Sequence, residues 1–192
     1  MIEPKLKKVD GKERRNNQMK SAGSREEILE GVAKKAGDNL ERSINCARST
    51  LAALQEEFEL GGGEDLLNAA TFMPGIVSRK ETCGAVIGGL MALGLVYGRL
   101  NTQDPDWGSL EAEKERFRLK EKARRFCDVF EKELGSTQCG FLLPKIMGPE
   151  FEEYDGTDSK ERQRFLEHGG AEKCRVPPET AARIAASIML EE

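Results

Sequence analysis

The chain has 192 residues, 38% of them apolar, and its 34 acids against 30 Lys and Arg give a formal net charge of −4. That apolar content supports one sizeable core and argues against a chain disordered throughout. The five cysteines form an odd set without a dense framework, which argues against a disulfide-stapled extracellular fold.

Residues 1–23 read as a basic polar arm, in which Lys5, Lys7, Lys8, Lys12, Arg14, Arg15 and Lys20 outnumber the acids. No aromatics interleave these charges and the whole chain is acidic, so a solvated tail is expected rather than a nucleic-acid contact. No apolar run with a cleavage site follows Met1, so no secretory signal is expected and the cytoplasm is the default compartment.

Periodicity then predicts helices. The first spans Arg25 to Lys35. A second carries the stripe Leu40, Ile44, Ala47, Leu51, Leu54 and Phe58, with Asp38 in the N-cap position and Cys46 in its middle. Gly61-Gly62-Gly63 breaks that helix, and because no Lys and Ser/Thr of a phosphate loop follow, the glycines read as a linker. Glu64 to Phe72 forms a short helix ending before Pro74-Gly75.

The next helix opens at Cys83. Its apolar stretch Ala85–Tyr97 is too short for the roughly 20 residues of a membrane span, so it reads as a buried core helix. Gly84, Gly88 and Ala92 share a face, while Gly94 and Gly98 serve the other flank or the C-terminus. Each interior glycine costs about 1 kcal/mol of helix propensity relative to alanine, so close packing or a bound group is expected to offset it.

Asn101–Gly108 reads as a polar turn. A long helix from Ser109 to Leu134 follows, with Leu119, Ala123, Phe126, Cys127, Phe130 and Leu134 on its buried side, and Gly135 stops it. A short helix starts near Cys139 and is interrupted by Pro144. Pro149–Gly170 is charged and poor in aliphatics, expected to be a loop with a helical turn at Arg162–His168. Glu179–Leu190 is a closing amphipathic helix after Pro177-Pro178. With no strand pattern or internal repeat, the expected fold is all-α, a compact bundle-like single domain over residues 24–192.

Function points to the cysteines. Cys83 follows the basic stretch Ser78-Arg79-Lys80 and meets the free N–H groups of a helix start, a position that can lower a thiol pKa from about 8.5 to roughly 3.5–7.5. Cys139 and Cys174 also fall at or before predicted helix starts. The four thiols Cys46, Cys83, Cys139 and Cys174 lack the C-x-x-C pairing of zinc fingers and ribbons, so only the fold can bring them together. Cys127 shares a face with Phe126 and Phe130 and reads as core. The lone histidine, His168, reads as a surface or capping residue, and no C-x-x-C-H is present to attach a c-type haem.

Cys83-Gly84-Ala85-Val86-Ile87-Gly88, with Gly88-Gly89-Leu90-Met91-Ala92-Leu93-Gly94-Leu95 after it, resembles the central element of the C-GCAxxG-C-C family of redox-active proteins. Asn45-Cys46-Ala47, Leu134-Gly135-Ser136-Thr137-Gln138-Cys139 and Lys173-Cys174 resemble the segments that bear the family's other three cysteines. The likeness runs from about the second helix to the C-terminus. Phe72-Met73-Pro74-Gly75-Ile76 departs from the glycine-richer turn expected before the central element, and Cys127 matches no family cysteine. The domain is also similar to part of the split-Soret cytochromes, in which cysteines accompany an iron–sulfur centre.

Three readings follow. In the first, Cys46, Cys83, Cys139 and Cys174 converge on a metal, foremost an iron–sulfur cluster for electron transfer with a redox partner, or alternatively zinc. In the second, no metal is bound and Cys83 is the attacking thiolate of a thiol–disulfide relay. In the third, the chain is a non-catalytic helical module whose glycine faces pack into a homodimer around buried cysteines.

Overall fold

The computed structural model describes residues 23–98 and 108–191. The expected basic arm, residues 1–23, lies outside them except for Gly23, as does most of the expected turn Asn101–Gly108. Among the described residues the fold is all-α, with no strand and a single isolated bridge between Thr82 and Gln138. No helix there is long and apolar enough to cross a membrane.

Helix α1 spans Arg25–Ser43 and opens on a capping box, in which the Ser24 side chain accepts from the Glu27 amide while Glu27 accepts from the Ser24 amide. It buries Ile28, Val32, Ala36 and Leu40. The expected boundary at Asp38 is wrong, because α1 runs straight through it. The chain breaks instead at Ile44, which turns left-handed (φ 46°), and at Asn45, whose side chain accepts from the Arg48 amide to cap helix α2, Cys46–Glu57. Asn supplies an N-cap that the next apolar periodic residues cannot, so the stripe is cut there. Cys46 is therefore the first residue of a helix, not the middle of one.

Gly63–Ala69 forms α3 and Gly84–Tyr97 forms α4. Helices α2 and α4 pack so closely that a methyl on Gly84 would meet the Pro74 Cα at 3.0 Å and the Ala47 nitrogen at 3.1 Å, and one on Gly88 would collide with the Ala47 carbonyl oxygen. The adjacent Gly89 admits the Phe126 ring from α5, Leu110–Leu134. Phe126 and Phe130 are fully buried on α5, whereas Leu119, Ala123, Cys127 and Leu134 are only half-covered. Gly135 ends α5 in the left-handed region (φ 96°), as expected.

Helix α6, Cys139–Met147, continues through Pro144 rather than stopping there. Leu142 and Leu143 before the proline and Met147 after it are buried, which holds the helix axis in spite of the missing hydrogen bond. The expected loop 149–170 is also more ordered than its composition suggests. It holds a 3₁₀ turn at Pro149–Phe151 and helix α7, Ser159–Glu167, capped by the Asp158 carboxylate on the Lys160 and Glu161 amides. After the one-turn α8, Gly170–Lys173, the last helix α9 runs Val176–Met189. It starts three residues before the expected Glu179 because Pro177 and Pro178 fit its first turn, where no N–H is required.

The main core gathers α1, α2, α4, α5 and the alanine-rich face of α9. A second, smaller core is built from Leu143, Met147, Phe151 and Phe165, with Tyr154 against it.

Candidate functional site

Three of the four candidate cysteines stand at helix N-termini. Cys46 is the first residue of α2, Cys83 is the N-cap of α4 and Cys139 is the first residue of α6. Cys174 is the C-cap of α8, just ahead of α9. The Thr82–Gln138 bridge joins two of these starts: the Cys83 amide donates to the Thr137 carbonyl at 2.8 Å and the Cys139 amide to the Glu81 carbonyl at 2.7 Å. In that antiparallel pairing Cys83 and Cys139 are diagonal neighbours on the face opposite Thr82 and Gln138. Cys46 enters through the glycine contact, since its Cβ lies 3.2 Å from where a Gly84 methyl would be.

Cys174 is brought in by its neighbour. Arg175 binds Asp38 at 3.0 Å, Glu179 at 2.6 Å and Glu41, tying the end of α8 to α1. Gly37 leaves room for this guanidinium, which a methyl there would strike. Asp38, expected as a cap, thus serves as an anchor for the Cys174 segment.

All four cysteines line one cavity of about 390 Å³. One side of it is closed by the segment Pro74–Lys80, which carries positive φ at Gly75 (50°), Ile76 (34°), Val77 (55°), Ser78 (61°) and Lys80 (61°). Such angles are costly for β-branched residues. The segment is pinned by the Gly140 amide on the Lys80 carbonyl at 2.9 Å and the Glu81 amide on the Gly75 carbonyl at 3.2 Å. The remaining wall comes from Asn45, Leu143, Tyr154, Arg162 and Phe165, among others. Among the described residues the lining contains Lys80 and Arg162 and no Asp or Glu. With three helix N-termini beside it, the cavity favours negative charge.

The expected lowering of the Cys83 pKa is overturned. The side chain is 4% exposed, and burial, followed by the Cys46 and Cys139 thiols, raises it well above the ordinary value, against the pull of the Ala85 and Val86 amides. Burial raises Cys46 and Cys139 too, and pushes Cys174 up to about 12. A helix N-terminus lowers a thiol pKa only where desolvation does not outweigh it. Among the described residues no three Cys, His, Asp or Glu side chains are grouped so that they could hold a single metal ion.

Cys127 lies on α5, half-buried against the main core and outside the cavity. His168 caps α7, its Nδ1 2.8 Å from the Arg164 carbonyl and its ring edge-on to Phe151, in keeping with the structural role expected of it. Sequence reasoning missed Tyr154 and Arg162 as site residues, and it noted Lys80 only within the basic stretch before Cys83. The signal for the first two was the trio Phe151, Tyr154 and Phe165, aromatic residues in a segment that otherwise reads as solvated charge.

The fold and site define a class: an all-helical protein in which cysteines from four distant segments meet at one cavity. The chain belongs to the family described as "Putative redox-active protein (C_GCAxxG_C_C)", which it matches over residues 44–188, a span that holds all four. No curated protein and no solved structure matches the chain.

Proposed function

We propose that the protein holds an iron–sulfur cluster on Cys46, Cys83, Cys139 and Cys174 and uses it for electron transfer with a redox partner. The observation that carries this reading is that the four cysteines line one cavity. The donor set fits such a group: four thiols are the usual complement of two- and four-iron clusters, whose bound form supplies one-electron chemistry. Zinc fits less well, because a tetrahedral ion needs its sulfurs at about 2.3 Å from one point and the thiols surround a cavity instead.

The chain's own residues bring the four thiols to one lining that, among the described residues, carries no carboxylate, and they bury Cys83 while leaving Cys46, Cys139 and Cys174 part-exposed. A metal-free relay through Cys83 is disfavoured, because burial keeps that thiol protonated at neutral pH and the thiolate is the nucleophile. The glycine face of α4 is already filled by α2, so a homodimer through Gly84 and Gly88 is disfavoured as well.

The test is iron and acid-labile sulfide analysis, with a visible spectrum, on protein handled anaerobically. Stoichiometric iron and sulfide with a charge-transfer band are expected, and serine at position 46, 83, 139 or 174 should lower cluster content severalfold while Cys127→Ser retains it. Protein without iron and sulfide after anaerobic reconstitution, but with a thiol count that rises on reduction, would establish the relay instead.

A further inference from the structure

We infer that Arg162 is the positioned charge that sets the redox potential of the four-cysteine site, an inference that rests on the cluster reading above. Arg162 lies on α7 and lines the cavity, with its guanidinium 5.7 Å from the Phe165 ring centroid and against the Tyr154 hydroxyl. Burial raises the Cys46 thiol, and the Arg162 charge pulls the other way as a lesser influence on it.

The acids around it are engaged elsewhere. Glu161 pairs with Arg164 at 2.6 Å, Asp158 caps α7, and Asp155 accepts from the Thr157 amide at 2.8 Å. Among the described residues no carboxylate pairs with Arg162, in contrast to Arg164, Arg175 and Arg183. The other cation of the lining, Lys80, donates to the Glu152 carbonyl at 2.8 Å and faces Glu153 at 3.9 Å, so part of its charge is spent outside the cavity.

Four thiolates make the loaded site anionic, and reduction adds one electron with no bond made or broken. A cation facing that site stabilises the more negative state, so Arg162 raises the potential.

The experiment is a potentiometric titration of the reconstituted protein with dithionite and mediator dyes. Arg162→Gln should shift the oxidised-to-reduced ratio at a fixed ambient potential about tenfold toward the oxidised form, equal to a fall of about 59 mV for a one-electron couple. Arg162→Lys should keep the wild-type potential. Arg124→Gln, which removes the same charge from an exposed position on α5, should leave it unchanged.

Should Arg162→Gln fail to fold, Ser159→Asp carries the test. It places a carboxylate one turn before Arg162, at the exposed and acid-tolerant first position of α7, and should lower the potential by pairing with the guanidinium. Fully loaded Arg162→Gln or Ser159→Asp protein with an unchanged potential overturns the inference, as does an Arg162→Lys potential as low as that of Gln. Wild-type protein without iron and sulfide overturns the cluster reading itself, which is a separate result.

Discussion

Cys174 illustrates how one side chain couples the site to stability. Burial first, and the Cys139 and Cys83 thiols next, push it from an ordinary 9.0 up to about 12. In the metal-free protein the folded state therefore holds a proton that the unfolded state releases above pH 9.0. The contribution is whole below that value and is lost as pH rises toward about 12, with a slope approaching about 1.36 kcal/mol per pH unit. Urea unfolding of metal-free protein between about pH 8.5 and 10 should show stability falling with pH, and Cys174→Ser should flatten the slope. An identical slope in the variant would show that the thiol is solvated. The residue scale is also where sequence reasoning misjudged Cys83, because a helix start is legible in a sequence and its desolvation is not.

At the scale of elements the glycines of α4 separate two roles. A methyl on Gly88 would run into the α2 backbone at Ala47, which cannot yield without moving Cys46 beside it. Gly88→Ala should cost about 1–3 kcal/mol. Among the described residues nothing approaches Gly94, so Gly94→Ala should gain up to about 1 kcal/mol of helix propensity. Thermal unfolding of the two variants should move in opposite directions, and a loss for both would mean that the exposed face of α4 is packed in solution. The shared face of Gly84, Gly88 and Ala92 was legible from spacing alone, as were α5, its Gly135 stop and the all-α class. The break at Ile44–Asn45 was not. The apolar stripe runs across it without a fault in period, and Asp38 offered an equally good cap where tertiary pairing with Arg175 keeps the helix going. The order in 149–170 was hidden for a related reason: its core is made by a few aromatics meeting residues of α6, a long-range contact that leaves no period in the local sequence.

Across the whole molecule the four cysteines divide between the two cores. Cys46 and Cys83 belong with the main one, whereas Cys139 and Cys174 pack on the smaller one around Phe151 and Phe165. A group bound to all four would therefore join the two cores, and its binding energy would appear as stability of the weaker one. The smaller core has four buried residues to the main core's larger set, and its carrying segments are short helices and turns. Local opening begins where buried apolar contacts are fewest. Hydrogen exchange should then show that removing iron lowers protection at Leu143, Met147, Phe151 and Phe165 by at least about tenfold, while Leu51, Leu54 and Ala185 change little. Equal loss in both sets would mean that the cores unfold as one unit. No loss in either would mean that the four thiols are not bridged, which would remove the physical link between the cavity and the fold that surrounds it.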